Sequence, residues 1–190
     1  MIAAGMANGE ATRLSASEAE MAELRAAVAR LDAHEQIRSR IHQCARALDR
    51  LDRDLLEAQF WPDAQIDYGT IYRGSVQGFL EVAMAFQGSM RDTQHLVGNT
   101  VISAQSETAS AESYVHAQHV LAQDSGLVQL IVGGRYLDRF ERRADNWRLS
   151  FRTEIIDWGR WLPIQENWFD SNEQLPKGLR SRGDKSYSIL

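Results

Sequence analysis

The 190-residue sequence predicts an α+β fold: a curved, mostly antiparallel sheet wrapped as a conical barrel around N-terminal helices. Three observations predict it. Helical periodicity ends by about Phe86, and alternation of period two dominates from Thr93 onwards. The two regions are segregated, which is the order of α+β rather than α/β domains. A glycine pair, Gly133-Gly134, interrupts a strand-like run and marks the bulge or bend that a curved sheet needs.

The elements follow in order. Residues 1 to 14 read as a loose tail. Ser17 and Glu20 have the spacing of a capping box, in which each side chain satisfies an amide of the other's turn. Met21, Leu24, Val28 and Leu31 then recur at helical spacing, and a second stripe runs Ile37, Ile41, Cys44, Leu48. The pair reads as one bent helix or two joined near Asp32-Ala33-His34. A third helix fits Asp52 to Phe60, with Asp52 as N-cap. Trp61-Pro62 ends it, because the residue before proline avoids the helical region. Ala64 to Tyr68 alternates as a short strand. Gly69 to Gly74 holds a turn and another short strand, and Ser75 opens a helix. Four antiparallel strands follow, at Thr93–Ser103, Thr108–Ala122, Leu127–Arg142 and Trp147–Trp158. Turns at Gln123-Asp124-Ser125-Gly126 and Ala144-Asp145-Asn146 separate the last three. One domain over 15–165 is expected, with a C-terminal tail over 166–190 that is mobile or docked on a neighbour.

Composition excludes several functions. With 26 acidic against 21 basic residues the net charge is -5, so a general grip on nucleic acid or anionic membrane is not expected. No apolar run approaches the ~20 residues of a membrane span. Met1 to Ala7 lacks a basic n-region and a long apolar core, so no signal peptide is read and a cytoplasmic location is expected. A single cysteine, Cys44, excludes an internal disulfide and a cysteine-based zinc site. His116 and His119 are three apart on a strand and point to opposite faces, so they cannot ligate one metal. No metal site, phosphate-binding glycine loop or nucleophile elbow is present in the sequence pattern.

Few residues carry chemistry. Asp49 sits on the flank of the Ile37–Leu48 stripe, where a half-buried carboxylate needs a partner. It is either a helix-end residue paired with Arg50 or Arg53, or part of a site. His95 alternates with Val97, Asn99 and Val101 on one strand face, as a core histidine or as a base. An imidazole can accept a proton at neutral pH. A carboxylate that holds its Nδ1–H leaves Nε2 free and stabilises the imidazolium. Arg152 is either a cross-strand ion-pair partner of Glu154 or Asp138, or a binder of developing negative charge. Tyr68, Tyr114, His116 and Tyr136 occupy expected inward positions and could hydrogen-bond a substrate, or simply pack; His116 could also serve as a second acid–base group. Trp158, Trp161, Trp168 and Phe169 could close the pocket or cover another subunit.

Several segments together resemble a known family. They are Ala47-Leu48-Asp49-Arg50, Phe60-Trp61-Pro62-Asp63-Ala64, Tyr72-Arg73-Gly74, Thr93-Gln94-His95-Leu96-Val97-Gly98-Asn99, Phe140-Glu141-Arg142-Arg143 and Trp147-Arg148-Leu149. In this order they resemble the SnoaL-like family, within the ketosteroid isomerase and scytalone dehydratase superfamily. The match is nearest in motif to lindane dehydrochlorinase and covers about residues 35 to 160. The resemblance implies a nuclear transport factor two-like cone, often dimeric or trimeric, with no cofactor. It implies His95 as the proton-abstracting base, Asp49 as its orienting acid and Arg152 as an assisting cation. The implied activity is elimination (dehydratase or dehydrohalogenase type) or isomerisation of a small hydrophobic cyclic substrate. The alternative is a non-catalytic ligand-binding protein, or a small accessory subunit of a ring-hydroxylating oxygenase.

Overall fold

The computed structural model describes residues 2–124, 126–164 and 170–189. The chain divides into two compact units, Met1–Gln36 and Ile37–Leu190. The first helix, α1 (Ile2–Arg50), begins fifteen residues before the expected capping box at Ser17, so the stretch expected to be a loose tail is helical. The helix carries no break at Asp32-Ala33-His34.

Within the first unit the predicted apolar stripe is not covered: Met21, Leu24, Val28 and Leu31 are all exposed. Gln36 closes a turn there by donating to Asp32 at 2.7 Å.

In the second unit the stripe Ile37, Ile41, Cys44, Leu48 is buried as expected. The α1 helix stops because Leu51 adopts the left-handed conformation (φ 52°) and the Asp52 N–H turns back to the Ala47 carbonyl at 2.9 Å. Asp52 then caps α2 (Arg53–Glu57), accepting from the Leu55 N–H at 3.0 Å. This helix is shorter than predicted. Phe60-Trp61-Pro62 belongs to strand β1 (Phe60–Asp67), where proline costs little beside a register shift. β1 pairs with the three-residue β2 (Arg73–Ser75). Ser75 caps α3 (Val76–Ser89), which buries Val76, Phe79, Leu80 and Ala83.

The remaining strands are β3 (Asp92–Ala104), β4 (Thr108–Gln123), β5 (Gly126–Arg143) and β6 (Asn146–Pro163). They form an antiparallel meander, and the β5–β6 turn uses Ala144 and Asp145 at positive φ. The sheet order is β2-β1-β6-β5-β4-β3, with β1 parallel to β6. It is an open sheet with β2 and β3 at its edges, not a closed barrel. The parallel pairing was not legible in the hydrophobic pattern, because it joins distant residues, such as Phe60 with Leu149 and Asp67 with Thr153.

A bulge lies at Gly133-Gly134, as the sequence suggested, with the extra residue, Asp157, on the facing strand β6. Both glycines are also close approaches. A Cβ at Gly133 would enter the Trp158 indole, and one at Gly134 would meet the Ile155 carbonyl. A second register shift lies in β3 between Val97 and Thr100. It swaps the faces beyond it, so Val101 is exposed and does not share the His95 side as predicted.

The C-terminal tail is docked on its own unit. Asp52 accepts from Arg182 at 2.9 Å and from the Tyr187 hydroxyl at 2.7 Å, and Arg46 stacks on the Tyr187 ring. Burial alone would raise the Asp52 carboxyl, but Arg182, the Leu55 N–H and Tyr187 hold it below the ordinary carboxylate range. Asp52→Ala is expected to cost about 1–2 kcal/mol from the lost cap and contacts. It should also speed limited proteolysis within 174–189; an unchanged melting temperature and digestion rate would count against this docking role. Trp168, Phe169 and Ser125 lie outside the described residues.

Candidate active site

Asp49 lies in the last turn of α1 and is 9% exposed. Across from it, β3 presents His95 on its inward face, with the side chain almost fully buried. Asp49 Oδ1 is 2.7 Å from His95 Nδ1. Both carboxylate oxygens also accept from the His95 backbone N–H at 3.1 Å. The carboxylate is thus fixed by the same residue whose ring it orients. A carboxylate at this distance requires a proton on Nδ1, which leaves the Nε2 lone pair free.

That ring lines a cavity of about 300 Å³. Its walls are mostly apolar, from Leu48, Phe79, Phe86, Leu130, Val132 and Ile156. Its polar groups include His95, His119, Tyr68, Tyr136, Glu154 and Gln87. Among the described residues, the Tyr68 hydroxyl and Gln87 Oε1 are buried without a hydrogen-bond partner. Burial pushes the phenols of Tyr68 and Tyr136 well above their usual range, so both are neutral donors. An unpaired buried donor and acceptor facing one cavity suit a ligand that carries oxygen.

Two predicted wall residues face the wrong way. Along β4 the buried residues are Ala109, Ala111, Ser113, Val115, Ala117 and His119. Tyr114 and His116 therefore stand on the opposite face. Tyr114 is 47% exposed, and the His116 ring packs at a tilt against Trp158. A strand carries one set of side chains inward, and here that set is mostly small residues together with His119. Trp158 and Trp161 are exposed and do not line the cavity.

His119 is the inward histidine, missed by the sequence reading. Its Nδ1 is 2.8 Å from Thr93 Oγ1, and its ring meets the His95 ring edge-on at 5.3 Å. Burial, then the neighbouring His95, lowers its pKa from 6.5 to about 4. Above pH 6.5 it is neutral both folded and unfolded. As pH falls from 6.5 towards 4 the unfolded chain takes the proton first, so stability is lost over that window. His119→Gln is expected to flatten the fall of melting temperature between those pH values. A slope equal to that of the wild type would refute this.

Arg152 is not brought to the cavity. It is 1% exposed and donates Nε and Nη2 to Asp138 at 2.7 and 2.8 Å, with its guanidinium over the Tyr136 ring. Of the ion-pair partners considered from sequence, Asp138 holds it and Glu154 does not. Burial alone would push the guanidinium down, but Asp138 beside it holds it well above its usual value.

A further cation comes from the tail. Arg180 donates from Nη1 to the Met90 carbonyl at 2.5 Å and from Nε to the Asp49 carbonyl at 3.4 Å, closing the outer side of the Asp49 turn. Nothing in local periodicity could reveal this contact. Among the described residues no group of three His, Cys, Asp or Glu side chains could hold a metal ion. Among the same residues, no helix is long and apolar enough to cross a membrane.

Comparison with known proteins agrees with this architecture. An uncharacterised protein of Mycobacterium tuberculosis is 29% identical over 131 residues, covering 67% of this chain and 87% of that protein. A Novosphingobium aromaticivorans protein provisionally named a scytalone dehydratase shares the fold. It has a TM-score of 0.63 and 20% identity, over 72% of this chain and 91% of that one. A hexachlorocyclohexane dehydrochlorinase, LinA type 3 of Novosphingobium barchaimii, gives a TM-score of 0.59 at 18% identity, over 70% and 92% of the two chains. The family model described as a SnoaL-like domain matches residues 29–153. The chain therefore belongs to the SnoaL-like domain family.

Proposed function

We propose that this protein is a lyase of the dehydratase or dehydrohalogenase type, or an isomerase, acting on a small, largely apolar cyclic compound that bears oxygen. The observation that carries the reading is the 2.7 Å contact between Asp49 and His95 Nδ1 beside an apolar cavity. His95 Nε2 takes a proton from carbon. Asp49 holds the ring and stabilises the imidazolium that results. Tyr68, with its buried hydroxyl unpaired, donates to a carbonyl or to the enolate oxygen that develops from it. The apolar walls exclude water and strengthen each of these interactions. The similarity to proteins named as a scytalone dehydratase and a dehydrochlorinase supports elimination as the reaction class.

Assembly as a homodimer or homotrimer and a cytoplasmic, reducing setting are part of the proposal. The buried, unpaired Cys44 suits the second. The test is to incubate the purified chain with hydroxylated, carbonyl-bearing steroids, terpenoids and polyketide-like aromatics, and to follow loss of water or double-bond movement by mass spectrometry and absorbance. Product formation supports the reading. Saturable binding without product would replace it with a ligand-binding role.

A further inference from the structure

The cavity contains a carboxyl group that the Asp49–His95 pair leaves unused. Glu154 stands on the inward side of β6, two residues after Arg152 and two before Ile156, and it lines the hollow together with His95, Tyr68 and Tyr136. Its obvious counter-ion is already engaged, because Arg152 directs Nε and Nη2 to Asp138. Among the described residues no cation forms a salt bridge with Glu154. A carboxyl group placed among apolar walls without a counter-ion is disfavoured as an anion.

We propose that Glu154 is the second acid–base group of this cavity, giving a proton to the oxygen that departs while His95 takes one from carbon. This rests on the proposed function and narrows it to dehydration. The substrate class is a cyclic carbonyl compound with a hydroxyl group β to the carbonyl. Hydroxide is a poor leaving group and needs that proton; halide does not. In the step, the C–H bond α to the carbonyl breaks and its proton goes to His95 Nε2. The C–H electron pair becomes the C=C bond. The C–O bond breaks, its pair stays on oxygen, and the Glu154 proton completes a water molecule. Imidazolium and carboxylate remain, and the proton passes from the first to the second through the released water. The net change is substrate to enone plus water.

The surroundings fit this assignment. Burial raises the Glu154 carboxyl above its usual range, while His95 and then Arg152 pull it partly back. The titratable groups that share the cavity with it are Tyr68 after β1, His95 on β3, His119 on β4 and Tyr136 on β5, and Arg152 on its own strand acts on it from outside the lining. From α3 comes only the neutral Gln87. Tyr68, Tyr136 and Glu154 line the same cavity, which places all three groups around one small volume.

The test compares wild type with Glu154→Gln on matched panel substrates whose leaving group is hydroxyl or halide. The expected loss for the hydroxyl substrate is about 10²–10⁴-fold, with only a few-fold change for the halide. Wild type is expected to lose kcat/KM on the alkaline side as Glu154 gives up its proton, and that fall should be absent in the variant. Equal losses on both substrates indicate a structural role and overturn the proposal, as does full activity on the hydroxyl substrate. If His95→Ala keeps full activity, the proposed function itself fails, whatever Glu154 does. Should no panel compound turn over, a carbon-13 titration of the Glu154 carboxyl in the intact chain decides. A midpoint above the 4.5 of an ordinary glutamate supports the assignment, and one at or below it overturns it.

Discussion

His95→Ala is expected to lower kcat/KM by about 10²–10⁴-fold on any panel compound that the wild type converts, the range that positioned general base catalysis contributes. The loss should come without unfolding, because the ring lines a cavity rather than filling a gap in the core. Asp49→Asn should also be severe, for a different reason. Asp49 accepts from two N–H groups, the His95 backbone N–H shared between both oxygens and Nδ1–H on Oδ1. An asparagine whose oxygen keeps the backbone bond turns its NH₂ towards Nδ1. That group is a donor, so Nδ1 must accept and the ring proton moves to Nε2. The imidazole then sits in place with no lone pair facing the substrate. Circular dichroism would show both variants folded. A variant of either residue that is folded and fully active would contradict the assignment.

Asp138→Ala is expected to destabilise the second unit by about 3–5 kcal/mol, because it leaves a fully buried guanidinium without its counter-ion. The Arg152–Asp138 pair has nearly ideal bidentate geometry, yet the desolvation of both charges offsets much of its attraction. The double variant Asp138→Leu/Arg152→Met should therefore recover most of the loss. Chemical denaturation of the three proteins measures this. A small loss in Asp138→Ala, or no recovery in the double variant, would show that the pair is not the isolated buried unit described here. The same series separates two roles for Arg152. If the arginine only fills the floor beneath the cavity, activity in the double variant follows its stability.

Much of the second unit was legible because its signals are local. Asp52 and Ser75 cap the helices that follow them, and Gly133-Gly134 marks the place of the bulge. The Asp49–His95 contact was reached through the family resemblance; spacing alone left both residues with bland alternatives. What failed was parity and long-range pairing. In β4 two interleaved sets, Tyr114-His116-Gln118 and Val115-Ala117-His119, each alternate cleanly, so alternation could not say which faces inward. The small residues Ala109, Ala111 and Ala117 were the available signal, since small side chains suit the concave side under the helices. In β3 the register shift between Val97 and Thr100 inverts the pattern midway, so counting from His95 misplaces Val101. The parallel β1–β6 pairing, the choice of Asp138 by Arg152 and the docking of Arg180 and Arg182 on α1 and α2 are contacts between distant residues. They follow from the assembled fold, and no short window of sequence contains them.

The most direct measurement is deuterium loss from an α-deuterated cyclic ketone, such as a tetralone, incubated with the protein in ordinary water and followed by mass spectrometry. Removing a proton from carbon is the one step that dehydration, dehydrohalogenation and isomerisation share in this reading. The wild type is predicted to wash the label out at least about a hundredfold faster than His95→Ala. Equal rates in the two proteins would mean that this imidazole takes no proton from carbon.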